Sequence, residues 1–130
     1  MKTLIVEDDA TSRLFLEMLL APYGPCHFAS HGVEAIEACR RALAEDGGYN
    51  LICLDIMMPG MDGQATLRKI RALENEYCAA AGPPACIMMV TLLDDIKTVM
   101  EAFASLCDAY ICKPINGEVL VGHLRKFRLI

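Results

Sequence analysis

The sequence predicts an α/β fold: a parallel sheet covered by helices on both faces. Short, apolar, β-branched runs alternate five times with longer stretches whose apolar residues recur at helical spacing. Hydrophobic residues make up 55% and charged residues only 22%, as expected when a central layer is buried on both sides. No linker-like stretch divides the 130 residues, so they form one domain, residues 1–130. A chain of that size buries roughly two-thirds of its unfolded surface without a disulfide staple.

Thr3 to Val6 is the first strand. A helix over about Thr11 to Ala21 follows, with Leu14, Met18 and Ala21 at helical spacing, and Pro22, Gly24 and Pro25 end it. Cys26 to Ala29 is a weak second strand. Gly32 to Glu45 is the second helix, with Val33, Ile36 and Ala38 or Cys39 inward, punctuated by Gly47 and Gly48. Leu51 to Leu54 is the third strand and Gln64 to about Ala80 the third helix. After GPP at 82–84, Ala85 to Val90 is the fourth strand. Asp94 and Asp95, suited to a helix N-terminal dipole, open a fourth helix running to about Leu106. Ala109 to Cys112 is the fifth strand, and Asn116 or Gly117 starts a last helix reaching the C-terminus, which leaves no room for an output domain.

A net charge of −5 argues against direct nucleic-acid contact, which needs clustered Lys and Arg. The seven cysteines stand singly among apolar residues without a CxxC pair, the pattern of reduced thiols used as small hydrophobes in a cytoplasmic protein. The N-terminal MKTLIVEDD meets acids too early for a signal peptide, and no apolar run reaches membrane-spanning length.

Ligands of open parallel sheets bind beyond the carboxyl ends of the strands. There the sequence puts Glu7 and Asp8 after strand one, Asp55 after strand three, Thr91 after strand four and Lys113 after strand five. Each has an ordinary reading: Asp9 as an N-cap, Thr91 as a cap of the fourth helix, Lys113 as a surface charge at a turn. Together they demand more, because three converging carboxylates repel one another unless a cation joins them. Oxygen ligands favour a hard ion, Mg²⁺, held by Glu7, Asp8 and Asp55. With no Cys or His near the cluster in sequence order, zinc is disfavoured, and His27, His31 and His123 read as structural or solvated. An ionised Asp55 needs no general base to attack phosphorus, which would give an aspartyl phosphate. The cation, Lys113 and the Thr91 hydroxyl would share the charge on the phosphoryl oxygens.

The set VEDD at 6–9, LDIMMPGMDG at 54–63, VT at 90–91 and CKP at 112–114 resembles the receiver domain of bacterial two-component response regulators, over essentially the whole chain and in order. The resemblance implies a stand-alone, chemotaxis-type receiver with a flavodoxin-like, doubly wound, five-stranded sheet in the order 2-1-3-4-5 and five helices. It matches Glu7 and Asp8 to the acidic pair, Asp55 to the phosphoacceptor, Met57 to the residue lending Mg²⁺ a backbone carbonyl, Thr91 to the switch hydroxyl, Tyr110 to the switch aromatic and Lys113 to the lysine before a proline. Its implied partners are a sensor histidine kinase or histidine phosphotransfer protein, and a downstream protein met through helix 4, strand 5 and helix 5 near Lys97, Met100 and Val119. Leu92, where the family often has a small residue, and a long span between Met61 and Val90 depart from the pattern. The resemblance also places Met57 and Leu93 beside the path of the hydrolytic water. Two apolar side chains there, with cover from Leu92, imply slow loss of phosphate.

The competing enzyme reading is a Mg²⁺-dependent phosphohydrolase of the haloacid dehalogenase type, which also forms an aspartyl phosphate. The resemblance to that class requires a second aspartate as acid/base two positions after the nucleophile, and Met57 stands there. A non-phosphorylated interaction module would have lost site residues, and all are present.

Overall fold

The computed structural model describes residues 1–45, 47–56, 62–81, 83–92, 96–104 and 106–130; the side chains of 78–81, 96 and 98 are outside the description. In chain order the elements are β1 (Thr3–Val6), α1 (Ala10–Leu20), a 3₁₀ turn (Ala21–Tyr23), β2 (Cys26–Ala29), α2 (Gly32–Glu45), β3 (Leu51–Leu54), α3 (Gly63–Ala81), β4 (Cys86–Thr91), α4 (Ile96–Ala104), β5 (Ala109–Cys112) and α5 (Gly117–Lys126). The strands form one parallel sheet in the order β2-β1-β3-β4-β5, the flavodoxin-like arrangement expected.

Alternation along each strand divides the core into two layers. Leu4, Val6, Ile52, Leu54, Ile87 and Met89 face Ala35 and Cys39 of α2, Leu67 and Ile70 of α3, and Ala102 of α4. Ile5, Leu51, Cys53, Met88, Val90 and Ile111 face Leu16 and Leu20 of α1 and Leu120 and Leu124 of α5. Full burial of these aliphatic side chains contributes about 1.5–3 kcal/mol each.

One helix turns a different face inward from the one the spacing suggested, and a second keeps the expected face apart from one residue, Val33. In α1 the buried residues are Leu16 and Leu20, whereas Leu14 and Met18 are 57% and 67% exposed. Positions 14 and 16 lie about 200° apart around a helix, so both sets satisfy the period and only packing decides between them. In α2 the buried set is Gly32, Ala35, Cys39 and Ala42, with Ile36 and Ala38 partly buried and Val33 61% exposed. Small residues on the buried face let α2 lie close to the sheet and α3.

The helix ends differ by one to four residues from those expected. Asp9 caps α1, accepting from the Ser12 backbone N–H at 2.9 Å and its hydroxyl at 2.7 Å, so the helix starts at Ala10. Asn116 caps α5 by accepting from Glu118 N–H at 2.8 Å. That helix stops at Lys126 rather than at the C-terminus, with Arg128 in the left-handed region at φ 58°. α4 ends at Ala104, and Asp94 and Asp95, expected to open it, lie outside the described residues. Among the described residues no disulfide forms. Burial pushes the thiols of Cys39, Cys53 and Cys86 up to about 12, which suits packing residues rather than reactive ones.

Candidate functional site: an acidic cluster at the strand ends

Because all five strands run parallel, β1, β3, β4 and β5 end along one edge of the sheet. The register sets Val6 beside Leu54, Leu54 beside Met89 and Thr91 beside Cys112. The next residue on three strands continues the ladder: Glu7 N–H donates to Ala29 O at 3.0 Å, Asp55 N–H to Val6 O at 3.1 Å, and Lys113 N–H to Thr91 O at 2.8 Å. Backbone hydrogen bonds therefore fix these side chains where the sheet stops.

One carboxylate oxygen from each of Glu7, Asp8 and Asp55 lies within 4.8 Å of the others. Glu7 and Asp55 are buried and Asp8 is exposed. Lys113 answers them: its Nζ donates to Glu7 Oε2 at 2.8 Å and to Asp55 Oδ2 at 3.4 Å, with its side chain only 15% exposed. The surface-charge reading of Lys113 is thus set aside. Thr91 is buried at the end of β4, and its expected cap of the fourth helix falls on residues 93–95, outside the described residues.

The cluster carries more negative charge than Lys113 neutralises, and the titration of its members follows. Burial raises the Glu7 carboxyl above its ordinary value; the charge of Asp55 adds to this, and the hydrogen bonds from Lys113 and the Asp9 backbone oppose it. Burial alone would depress the Lys113 ammonium, but the Glu7 and Asp55 carboxylates outweigh it and hold the pKa above its usual value. Three carboxylates open to solvent through exposed Asp8 fit a hard, oxygen-loving divalent ion. The histidines lie elsewhere: His27 Nδ1 is 2.8 Å from the Tyr49 hydroxyl, His31 lies 3.6 Å from Glu34, and His123 stacks on Phe127.

Three supports were not apparent in the sequence. Asp9 N–H donates to Glu7 Oε1 at 3.1 Å, so the N-cap of α1 also orients the buried glutamate. Arg13 reaches the Glu7 carbonyl oxygen at 3.4 Å. Gly63, the first residue of α3, donates its N–H to Ile56 O at 2.9 Å, and a Cβ there would lie 2.4 Å from Asp55 O and 2.5 Å from Ile56 Cα. The helix can start against the Asp55 backbone only because residue 63 has no side chain. The DG pair at 62–63, an N-cap followed by a glycine, was the available signal: Asp62 Oδ1 accepts from Ala65 N–H at 2.8 Å.

Met57, expected to lend a carbonyl, and Leu93 lie outside the described residues. Leu92, expected to add cover at the site, is 73% exposed where the chain leaves β4.

The family model of the response regulator receiver domain matches residues 3–125. The chain belongs to this family. The receiver domain is 29% identical over 124 residues to the transcriptional regulatory protein ZraR of Escherichia coli, covering 95% of this chain and 25% of that protein. The chain spans half or less of the length of the curated relatives it first matches. Among solved structures, the receiver domain of the histidine kinase CKI1 from Arabidopsis thaliana superposes with a TM-score of 0.85 at 24% identity, over 99% of this chain and 90% of that one. The receiver domain of a Pseudomonas aeruginosa sensor histidine kinase, which has a magnesium ion coordinated in its active site cleft, superposes with a TM-score of 0.78 at 22% identity, over 97% and 95% of the two chains.

Proposed function

We propose that this receiver domain accepts a phosphoryl group on Asp55 and uses it to change a partner-binding face. The observation that carries the reading is the sharing of one ammonium, Lys113 Nζ, by buried Glu7 and buried Asp55 beside exposed Asp8. Asp55 is held by its backbone and flanked by a cation. A carboxylate oxygen of Asp55 attacks phosphorus, an O–P bond forms, and the bond to the donor breaks with its electron pair leaving on the donor nitrogen or oxygen. Lys113 compensates one phosphoryl oxygen, and the Thr91 hydroxyl donates to another. Mg²⁺ bound by Glu7, Asp8, Asp55 and the Met57 carbonyl would supply charge neutralisation at the phosphoryl group. The chain's only chemistry is then its own phosphorylation and dephosphorylation.

The donor is a sensor histidine kinase or a histidine phosphotransfer protein, and the setting is the cytoplasm. Output runs through α4, β5 and α5, where Lys97, Met100 and Val119 are exposed and Tyr110 is half-buried with its hydroxyl out of solvent. A net charge of −5 directs that face to protein rather than nucleic acid. Among the described residues, no helix is long and apolar enough to cross a membrane.

Incubation with acetyl phosphate and Mg²⁺, followed by mapping of the label, tests the assignment. Wild-type protein should be labelled at Asp55 and protein in EDTA should not. Undiminished labelling of Asp55→Asn refutes it.

A further inference from the structure

At the opposite end of the sheet from the acidic cluster, Arg71 of α3 sits in a buried polar network. Its Nε donates to Leu106 O at 2.9 Å, Nη1 to Glu74 Oε1 at 2.7 Å and Ala85 O at 2.8 Å, and Nη2 to Asp108 Oδ2 at 2.8 Å. Glu74 and Asp108 in turn accept from the backbone of β4's leading edge, at Ala85 N–H and Ile87 N–H. Arg71 and Glu74 side chains are only 12% and 11% exposed.

The residue Arg71 grips is strained. Leu106 lies at φ 75°, in the left-handed region, which costs a leucine roughly a five- to thirtyfold population penalty. It closes the end of α4: Leu106 N–H donates to Phe103 O at 3.0 Å and Cys107 N–H to Ala102 O at 3.2 Å. Its side chain is largely exposed, so its own burial does not offset the strain. Among its described side chains, α4 buries little. Of its described side chains only Ala102 is buried, while Met100 and Phe103 face solvent.

We infer that Arg71 is a positioning residue for the switch: it straps the C-terminal end of α4 through the Leu106 carbonyl, so that α4 pivots about this end. The opposite end, which follows Thr91 and the candidate site, is the end that moves. The inference rests on the proposed function for the moving end, while the strap stands on geometry alone.

Amide exchange of the full chain tests both parts. Arg71→Leu should accelerate exchange across 99–107 at least tenfold more than across 117–126 of α5. Arg71→Lys, which keeps the charge but loses the fork, should give an intermediate effect. Leu106→Gly in the Arg71→Leu background should recover much of the loss, because a glycine needs no strap. Equal acceleration in α4 and α5, or no acceleration in α4 for either Arg71 variant, overturns the strap. Where Arg71→Leu does not fold, Arg71→Lys with and without Leu106→Gly decides. With beryllofluoride and Mg²⁺, wild-type protein should change most at 96–99 and least at 103–107. Equal change at both ends overturns the pivot, whereas no change anywhere in the chain, with the variants behaving as expected, overturns the phosphoacceptor reading and leaves the strap standing.

Discussion

Replacing Lys113 by methionine removes one cation and keeps most of the packing volume, leaving buried Glu7 and Asp55 without that ammonium. At an effective dielectric constant of about 20, the 2.8 Å contact to Glu7 corresponds to about 6 kcal/mol of attraction and the 3.4 Å contact to Asp55 to about 5 kcal/mol. Most of this is offset by the cost of desolvating the ammonium, so the net loss should be about 3–5 kcal/mol, the usual result of orphaning a buried charge. With a urea slope of about 1.5 kcal/mol per molar, the midpoint should fall by about 2–3 M at pH 7.5 in EDTA. The pH dependence separates charge from packing. Glu7 already binds its proton more tightly folded than unfolded, so its contribution to stability falls as pH rises from its unfolded value, near 4.5, through its raised folded value. Without Lys113 that folded value climbs further, and the deficit should be smaller at pH 5 than at pH 7.5. Mg²⁺ at about a hundredfold excess over its Kd should return about 2.7 kcal/mol. Urea titrations of both proteins at the two pH values, with and without Mg²⁺, check this. A deficit that is equal at both pH values and indifferent to Mg²⁺ would mean that lost packing, not unpaired charge, is responsible.

Gly63→Ala should displace the Asp55 backbone and weaken Mg²⁺ affinity at least tenfold by titration, whereas Gly122→Ala, whose added Cβ meets nothing within 4 Å, should leave it unchanged. Asn116→Ala should lower stability by about 1 kcal/mol in thermal unfolding without altering labelling at Asp55, because it removes only the cap of α5. Phosphate should leave the wild-type protein slowly once the donor is removed, and Met57→Asn combined with Leu93→Glu should speed its loss; a fast wild-type decay unaffected by the pair of changes would end the idea that apolar side chains exclude water.

The sheet was legible because parallel strands buried on both faces write continuous apolar runs such as LICL and CIMMV, whereas its strand order came from the resemblance to the receiver family. What sequence spacing could not choose was the inward face of α1. Leu14 and Leu16 are both leucines, and helical period alone cannot tell which side meets the sheet. Glu7, Asp8, Asp55 and Lys113 were readable as a cluster since topology brings strand ends together irrespective of intervening length. Gly63's approach to Asp55 and Arg71's grip on Leu106 depend on tertiary distances that leave no periodic trace. The leucine at φ 75° runs against local preference, so propensity would have placed a glycine there.

The ammonium that balances the acids comes from the far end of the chain: Glu7 and Lys113 are 106 positions apart. A ribosome delivers β1, β3 and β4 first, so a nascent chain carries the carboxylates before it owns their counter-charge. Docking of β5 completes the sheet edge and brings the lysine to the acids in the same event, tying competence for the proposed chemistry to completion of the fold. Fragments lacking the last strand would hold the acids and lack the lysine, so a truncated translation product would compete poorly for phosphoryl donors.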